Sequence, residues 1–172
     1  KVEKEEIDPQ EWETIESLIQ QASNALTQFR KDEGQSLALD FKLRIENIRN
    51  LMLSIEKEEH QRVANIKERI LEKLGELKSN VDESRLEQEL IYFLEKLDVT
   101  EEIVRLSNHL NYFLETMNSD ISEGKKLGFI CQEIGREVNT IGSKSNNAEM
   151  QQQVVQMKDE LEKIKEQILN VL

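Results

Sequence analysis

The sequence holds a single cysteine, Cys131, in 172 residues. An internal disulfide is therefore excluded, and no paired thiolates suggest zinc. A reducing compartment is the simple reading. With only two histidines, a His/Cys metal site is nearly excluded as well. One proline and six glycines leave the chain few breakers, which favours long uninterrupted elements. No apolar run approaches the roughly 20 residues that span a bilayer, so no membrane role is expected. No signal peptide is visible. The chain opens on Lys1 and not on Met, and is read as a fragment of something longer. Positive charge is also short: 23 Lys and Arg stand against 35 Asp and Glu, for a net charge of -12. This argues against a general nucleic-acid coat and against binding to an anionic membrane surface. A local basic site, or a carboxylate cluster for a cation, stays open. There is no HExxH helix and no nucleophile elbow. Residues 135–145, GREVNTIGSKS, superficially resemble a phosphate loop, but six residues separate Gly135 from Gly142 and Ser143 intervenes before Lys144.

What is present is helical periodicity. Hydrophobic residues make up 37% and charged residues 34%, with a mean hydropathy of -0.63, ordinary for long amphipathic helices. Asp8 before Pro9 is a helix start signal. Trp12, Ile15, Ile19, Ala22, Leu26 and Phe29 then mark one helical face. Gly34 marks a break or only a weak spot. Phe41, Ile45, Ile48, Met52 and Ile55 continue the period, and residues 56–60 are a turn or an exposed stretch of helix. Val63, Ile66, Ile70, Leu74 and Leu77 form the next stripe. Residues 79–84 read as a turn, and Ser84 with Glu87 fits a capping box. Leu86, Leu90, Phe93 and Leu97 face one way. Asp98 with Glu101 repeats the capping spacing and predicts a new helix, with Ile103, Leu106, Leu110, Phe113 and Met117 buried. Residues 118–124 are a loop. A helix over about 126–141 turns Leu127, Ile130, Ile134 and Val138 inward, and residues 141–147 are a second loop candidate.

The last helix is the most regular. Met150, Val154, Met157, Leu161, Ile164, Ile168 and Val171 alternate gaps of four and three, a heptad seam over about three heptads. Such a seam buries against one partner helix, and pairing within the chain is favoured because three heptads are short for a free coiled coil. The fold class is all-α, with about six amphipathic helices in antiparallel hairpins or an elongated bundle. Residues 1–80 read as a long helical arm or hairpin, and residues 81–172 as the domain that carries the motifs.

Two segments hold the candidate chemistry. In 85–109, Glu102, Arg105 and His109 lie at i, i+3 and i+7 on one side of a helix, with Glu101 bordering them one turn before Arg105. An ordinary solvated face has this spacing. So does a carboxylate pair beside an imidazole, which can hold a hard divalent cation or shuttle a proton. In 124–146, Lys125, Lys126, Arg136 and Lys144 face two acids, Glu133 and Glu137. These two sit at i, i+4, where like charges repel by a few tenths of a kcal/mol unless something bridges them. A Lys from another helix or a divalent cation would serve. Gln132, Arg136 and Asn139 form an adjacent polar face.

Several stretches resemble the signatures of one family. RLEQE (85–89), DVTEEIVRL (98–106) with His109, QEIGREVNTIGSK (132–144), the closing VVQMKDELEKIKEQILNV and Glu33-Gly34-Gln35 are similar to those of the YicC-like endoribonucleases, a bacterial family formerly described as stress-induced proteins. One departure is visible: Gly135 stands where the family usually has Asn. The resemblance covers almost the whole chain, most densely from Arg85 onward. It implies the C-terminal helical part of a protein whose strand-containing N-terminal domain is absent here. It further implies a cytoplasmic homo-oligomer, in the full-length family protein a hexamer, that cleaves RNA with a divalent metal, Mn²⁺ or Mg²⁺. On this reading Glu102, His109, Glu133 and Glu137 are catalytic. Glu101 joins these four as metal ligands, and Arg105, Lys126, Arg136, Asn139 and Lys144 bind RNA. Glu101, Glu102 and His109 of one helix are expected to meet Glu133 and Glu137 of another. Two rival readings stay open: a non-catalytic helical oligomerisation module, whose carboxylates form salt bridges, and an adaptor that presents RNA or protein to another nuclease.

Overall fold

A computed structural model describes residues 8–76, 83–119, 121 and 123–171. Among them there are five helices and no strand. The all-α expectation holds. The count is lower than about six because α1 runs without interruption over Pro9–Glu76. Gly34 stays helical, since one glycine costs only about 1 kcal/mol against alanine in a helix interior. The polar run 56–60 stays helical too, and Glu59 within it is buried, not exposed. The start signal is realised: Asp8 Oδ1 accepts from the Gln10 N–H at 3.0 Å.

The remaining helices are α2 (Glu83–Leu97), α3 (Thr100–Met117), α4 (Gly124–Lys144) and α5 (Ala148–Ile168). The turn expected over residues 79–84 lies mostly outside the described residues, as do Leu77 and the Leu74 side chain. The predicted loop at 141–147 shrinks to 145–147, because Gly142 and Ser143 remain in α4. The α5 start is capped by Asn147, whose Oδ1 accepts from Glu149 N–H at 2.7 Å.

The chain divides into two compact units, Lys1–Asp40 and Phe41–Leu172. In the first, Trp12, Ile15, Leu18, Ile19, Leu26 and Phe29 are all exposed. In the second, α4 packs against both α3 and α5. The α1 stripe Phe41, Ile45, Ile48, Met52 and Ile55 is buried, and the Phe41 ring meets Phe113 of α3 edge-on at 5.8 Å. Each such side chain is worth about 1.5–3 kcal/mol when removed from water. The α5 seam is buried from Met150 to Ile168, and its polar flank joins α1 through Glu160, which accepts from Arg44 at 3.2 Å and Asn47 at 3.0 Å. The seam is thus consumed within the chain. Three stripes differ from expectation. Val63, Ile66 and Ile70 are only half-buried, Met117 at the end of the α3 stripe is half-buried, and Phe93 of α2 is exposed while Leu90 is buried.

Candidate functional site

The two segments singled out in the sequence meet where α3 begins and α4 ends. Asp98 stands in the turn between α2 and α3, and its Oδ1 accepts from both the Thr100 N–H at 2.8 Å and the Thr100 hydroxyl at 2.6 Å. These two bonds, hydroxyl first, together with nearby Lys144 and Arg62, hold the Asp98 carboxyl below its ordinary pKa. Thr100 is thus the residue that fixes Asp98, whereas Glu101 does not reach back as a capping box requires. It pairs forward along α3 with Arg105.

Glu102 points inward and is 5% exposed. Its Oε1 accepts from Lys144 Nζ at 2.8 Å, and the same ammonium donates to the Asp98 carbonyl at 2.8 Å. Lys144 therefore ties the first turn of α3 to the last turn of α4. Glu102 Oε2 is buried, and among the described residues no group donates to it. An unengaged buried carboxylate oxygen costs about 1–3 kcal/mol or more, so this atom is an acceptor ready for a donor.

The other candidates lie further along the same two helices. Glu133 pairs with Arg136 on α4 at 2.6 Å, a partner on its own helix that does not link it to Glu137. Glu137 is buried in line with Ile130, Ile134 and Ile141. His109 is half-buried, and Asn139 is exposed. Lys126 meets Glu123 at 2.6 Å and sits 5.2 Å above the Tyr112 ring, and these two partners, Glu123 first, raise its pKa. Cys131 is buried, and burial pushes its thiol up to about 12.

The structure joins Glu102 to Lys144 but does not gather the five expected metal ligands. Among the described residues no three His, Cys, Asp or Glu side chains come together as a cation would need. The physical reason is local pairing. Arg105 draws Glu101 along α3, Arg136 draws Glu133 along α4, and Lys144 takes Glu102 inward. The carboxylates and imidazoles of the described residues, as they are paired here, therefore do not form a donor set for a divalent metal.

Three residues that the sequence reading passed over stand beside this junction. Arg62 of α1 is 8% exposed and Glu59 is 4% exposed. Arg62 donates to both Glu59 oxygens, at 2.7 and 2.8 Å, to the Leu97 carbonyl at 2.7 Å, and to Asn146 Oδ1 at 3.0 Å. The one local signal was the i, i+3 spacing of Glu59, inside the polar run 56–60, and Arg62, just beyond it.

A sequence model of the family described as "Endoribonuclease YicC-like, C-terminal" matches residues 55–172. A Clostridioides difficile protein named "Probable endoribonuclease YicC" is 38% identical over 172 residues, covering 98% of this chain and 59% of that protein. A Haemophilus influenzae protein of the same name is 37% identical over 105 residues, covering 61% of this chain and 37% of that protein. This chain thus spans less than two thirds of the length of these relatives. The family match takes in α2 to α5, the last part of α1, and the whole Glu102–Lys144 junction. This chain belongs to the YicC-like endoribonuclease family, as its C-terminal region.

Proposed function

We propose that this chain is the part of an endoribonuclease that carries the α3–α4 cleavage surface, acting on RNA phosphodiester bonds. The observation that supports it is the Lys144 bridge, which joins the two motif segments through Glu102 and the Asp98 carbonyl. On the same two helices, Arg105 and Arg136 are well exposed, and among the described residues each is held by a carboxylate on its own helix. Exposed pairs of this kind are worth about 0–1 kcal/mol, so a phosphate exchanges for the carboxylate at little cost. Arg105, Arg136, Lys126 and Asn139 then place the RNA backbone, and Lys144 orients Glu102. Glu102 Oε2 is the acceptor for a proton in the reaction, with Glu137 and His109 further along the same helices. Mn²⁺ or Mg²⁺ dependence is carried by the resemblance, and we assign the ion no step, since the described residues do not gather its ligands. With a net charge of -12, the chain grips RNA weakly by itself. The stronger grip is assigned to the rest of the full-length protein or to its homo-oligomer, the hexamer implied by the resemblance. A cytoplasmic location goes with the RNA substrate.

The test is cleavage of a labelled RNA by the full-length protein with Mn²⁺, with Mg²⁺ and with EDTA. Glu102→Gln and Glu137→Gln are compared after their fold and assembly are checked. Cleavage that depends on the ion and falls at least ~10²-fold in both variants supports the proposal. Cleavage that survives both substitutions removes the chemistry from this chain. The second reading is then favoured, a helical assembly module, to which the exposed stripe from Trp12 to Phe29 and the surface pairing of Glu101 and Glu133 also belong.

A further inference from the structure

Arg62 lies on α1, outside both motif segments, yet it touches the flank of each. Its Nη2 donates to the carbonyl of Leu97, the residue before Asp98, and its Nη1 donates to Asn146, two residues after Lys144. Lys144 in turn donates to the Asp98 carbonyl and to Glu102. A closed ring results, running from Arg62 through Leu97, Asp98, Lys144 and Asn146 back to Arg62. Glu59 neutralises the guanidinium through two bonds, so the buried cation is compensated inside the ring.

We propose that Arg62 is a positioning residue for the α3–α4 site: its guanidinium fork sets the α2–α3 turn against the α4–α5 turn, and thereby where Lys144 holds Glu102. The inference rests on the proposed function for its catalytic consequence, but the ring itself does not. Two physical arguments carry it. First, a guanidinium presents its donors in one plane at fixed angles, so three partners on three elements are held in one mutual geometry. Second, a buried ion pair is a poor source of net stability, because desolvation offsets most of the attraction. The adjacent α1 stripe from Phe41 to Ile55 already supplies apolar anchorage. What Arg62 adds is the placement of two turns whose backbones carry Asp98 and Lys144.

The variants are Arg62→Lys, which keeps the charge but loses the fork, and Asn146→Ala, which removes one arm and leaves the Glu59 pair in place. The first readout is amide hydrogen exchange in the full-length protein at Thr100 and Ile103 on one side and at Ser145 on the other. Coupled loosening is expected: protection falls ~10-fold or more at both turns in Arg62→Lys, while the middle of α3 and of α5 is unchanged. Asn146→Ala gives the same pattern at smaller size. The second readout is RNA cleavage. Arg62→Lys is expected to lower kcat ~30-fold with KM within ~3-fold, and to add less than ~2-fold to the loss already caused by Lys144→Met. Unchanged exchange at either turn, a loss carried by KM, or losses that multiply with Lys144→Met would each overturn the proposal. A wild-type protein that does not cleave RNA refutes the proposed function, and exchange at the two turns then decides the role of Arg62 by itself.

Discussion

Lys144 Nζ and Glu102 Oε1 lie 2.8 Å apart, a contact between residues 42 positions apart in sequence. It is asymmetric in solvation. The Glu102 side chain is 7% exposed and that of Lys144 is 26% exposed. Removing the cation therefore leaves a buried carboxylate without a donor on either oxygen among the described residues. Lys144→Met is expected to cost about 3 kcal/mol, the low end for breaking a buried pair, because Lys144 keeps some contact with water. Urea unfolding of Lys144→Met, Glu102→Gln and the double variant reads this. The double variant should be more stable than the two separate losses predict.

Two glycines of α4 face α5 at different distances. A Cβ on Gly135 would meet Leu161 Cδ2 at 3.4 Å, an ordinary contact, whereas one on Gly142 would meet Val154 Cγ1 at 3.0 Å. Gly135→Ala should raise stability by about 0.5–1 kcal/mol through helix propensity. Gly142→Ala should give less than half of that gain, or a loss, because Val154 must shift in a packed seam. Thermal unfolding of the two variants side by side checks the order.

Cys131 should be inert in the native protein. Burial holds its thiol up to about 12, so thiolate is scarce at pH 8. A disulfide exchange reagent at pH 8 should label it at least ~10²-fold more slowly than in denaturant. Native labelling at the denatured rate would mean that α4 and α5 separate readily.

Asp98 and Glu160 link stability to acid. For Glu160, burial alone would raise the pKa, but hydrogen bonds from Lys163, Asn47 and Arg44 outweigh it and lower the pKa from 4.5. Asp98 is lowered from 3.8, chiefly by Thr100. A folded pKa below the unfolded value means that the unfolded state binds the proton first. The stabilisation is therefore complete above the unfolded pKa and is lost as pH falls through the folded one. Between pH 6 and pH 3, Glu160→Gln and Thr100→Ala should each flatten the decline of the urea midpoint relative to wild type. A slope as steep as wild type in both would place the acid sensitivity elsewhere.

The helical periods of this chain are written locally, and local patterns survived folding. Every apolar position from Met150 to Ile168 in the heptad seam is buried, as are Phe41 to Ile55, the inward face of α4, and that of α3 up to Phe113, with Met117 half-buried at its end. Periodicity also placed the motif segments on helices, 85–109 across α2 and α3 and 124–146 largely on α4. Less legible was which charged residue pairs with which. Glu101, Glu102 and Glu133 share a residue type and a helical setting, yet two turn to partners on their own helix and one crosses to another. Side-chain reach decides the first two, and only the packing of α3 on α4 decides the third.

Residues 56–62 show the same division. From sequence, 56–60 is a polar run, a turn or an exposed stretch of helix, and Arg62 follows just beyond it. In the fold, Glu59 and Arg62 are among the most buried charged groups described. Nothing in their local pattern distinguishes them from solvated pairs at i, i+3, because the groups that need them are the Leu97 carbonyl, at the end of α2, and Asn146. Sequence by itself determined the helical class, the inward faces and the family, since these depend on spacing along one chain segment. Tertiary structure alone decided the junction of Arg62, Asp98, Glu102 and Lys144, since hydrogen bonds between distant turns exist only once the bundle has brought their backbones together.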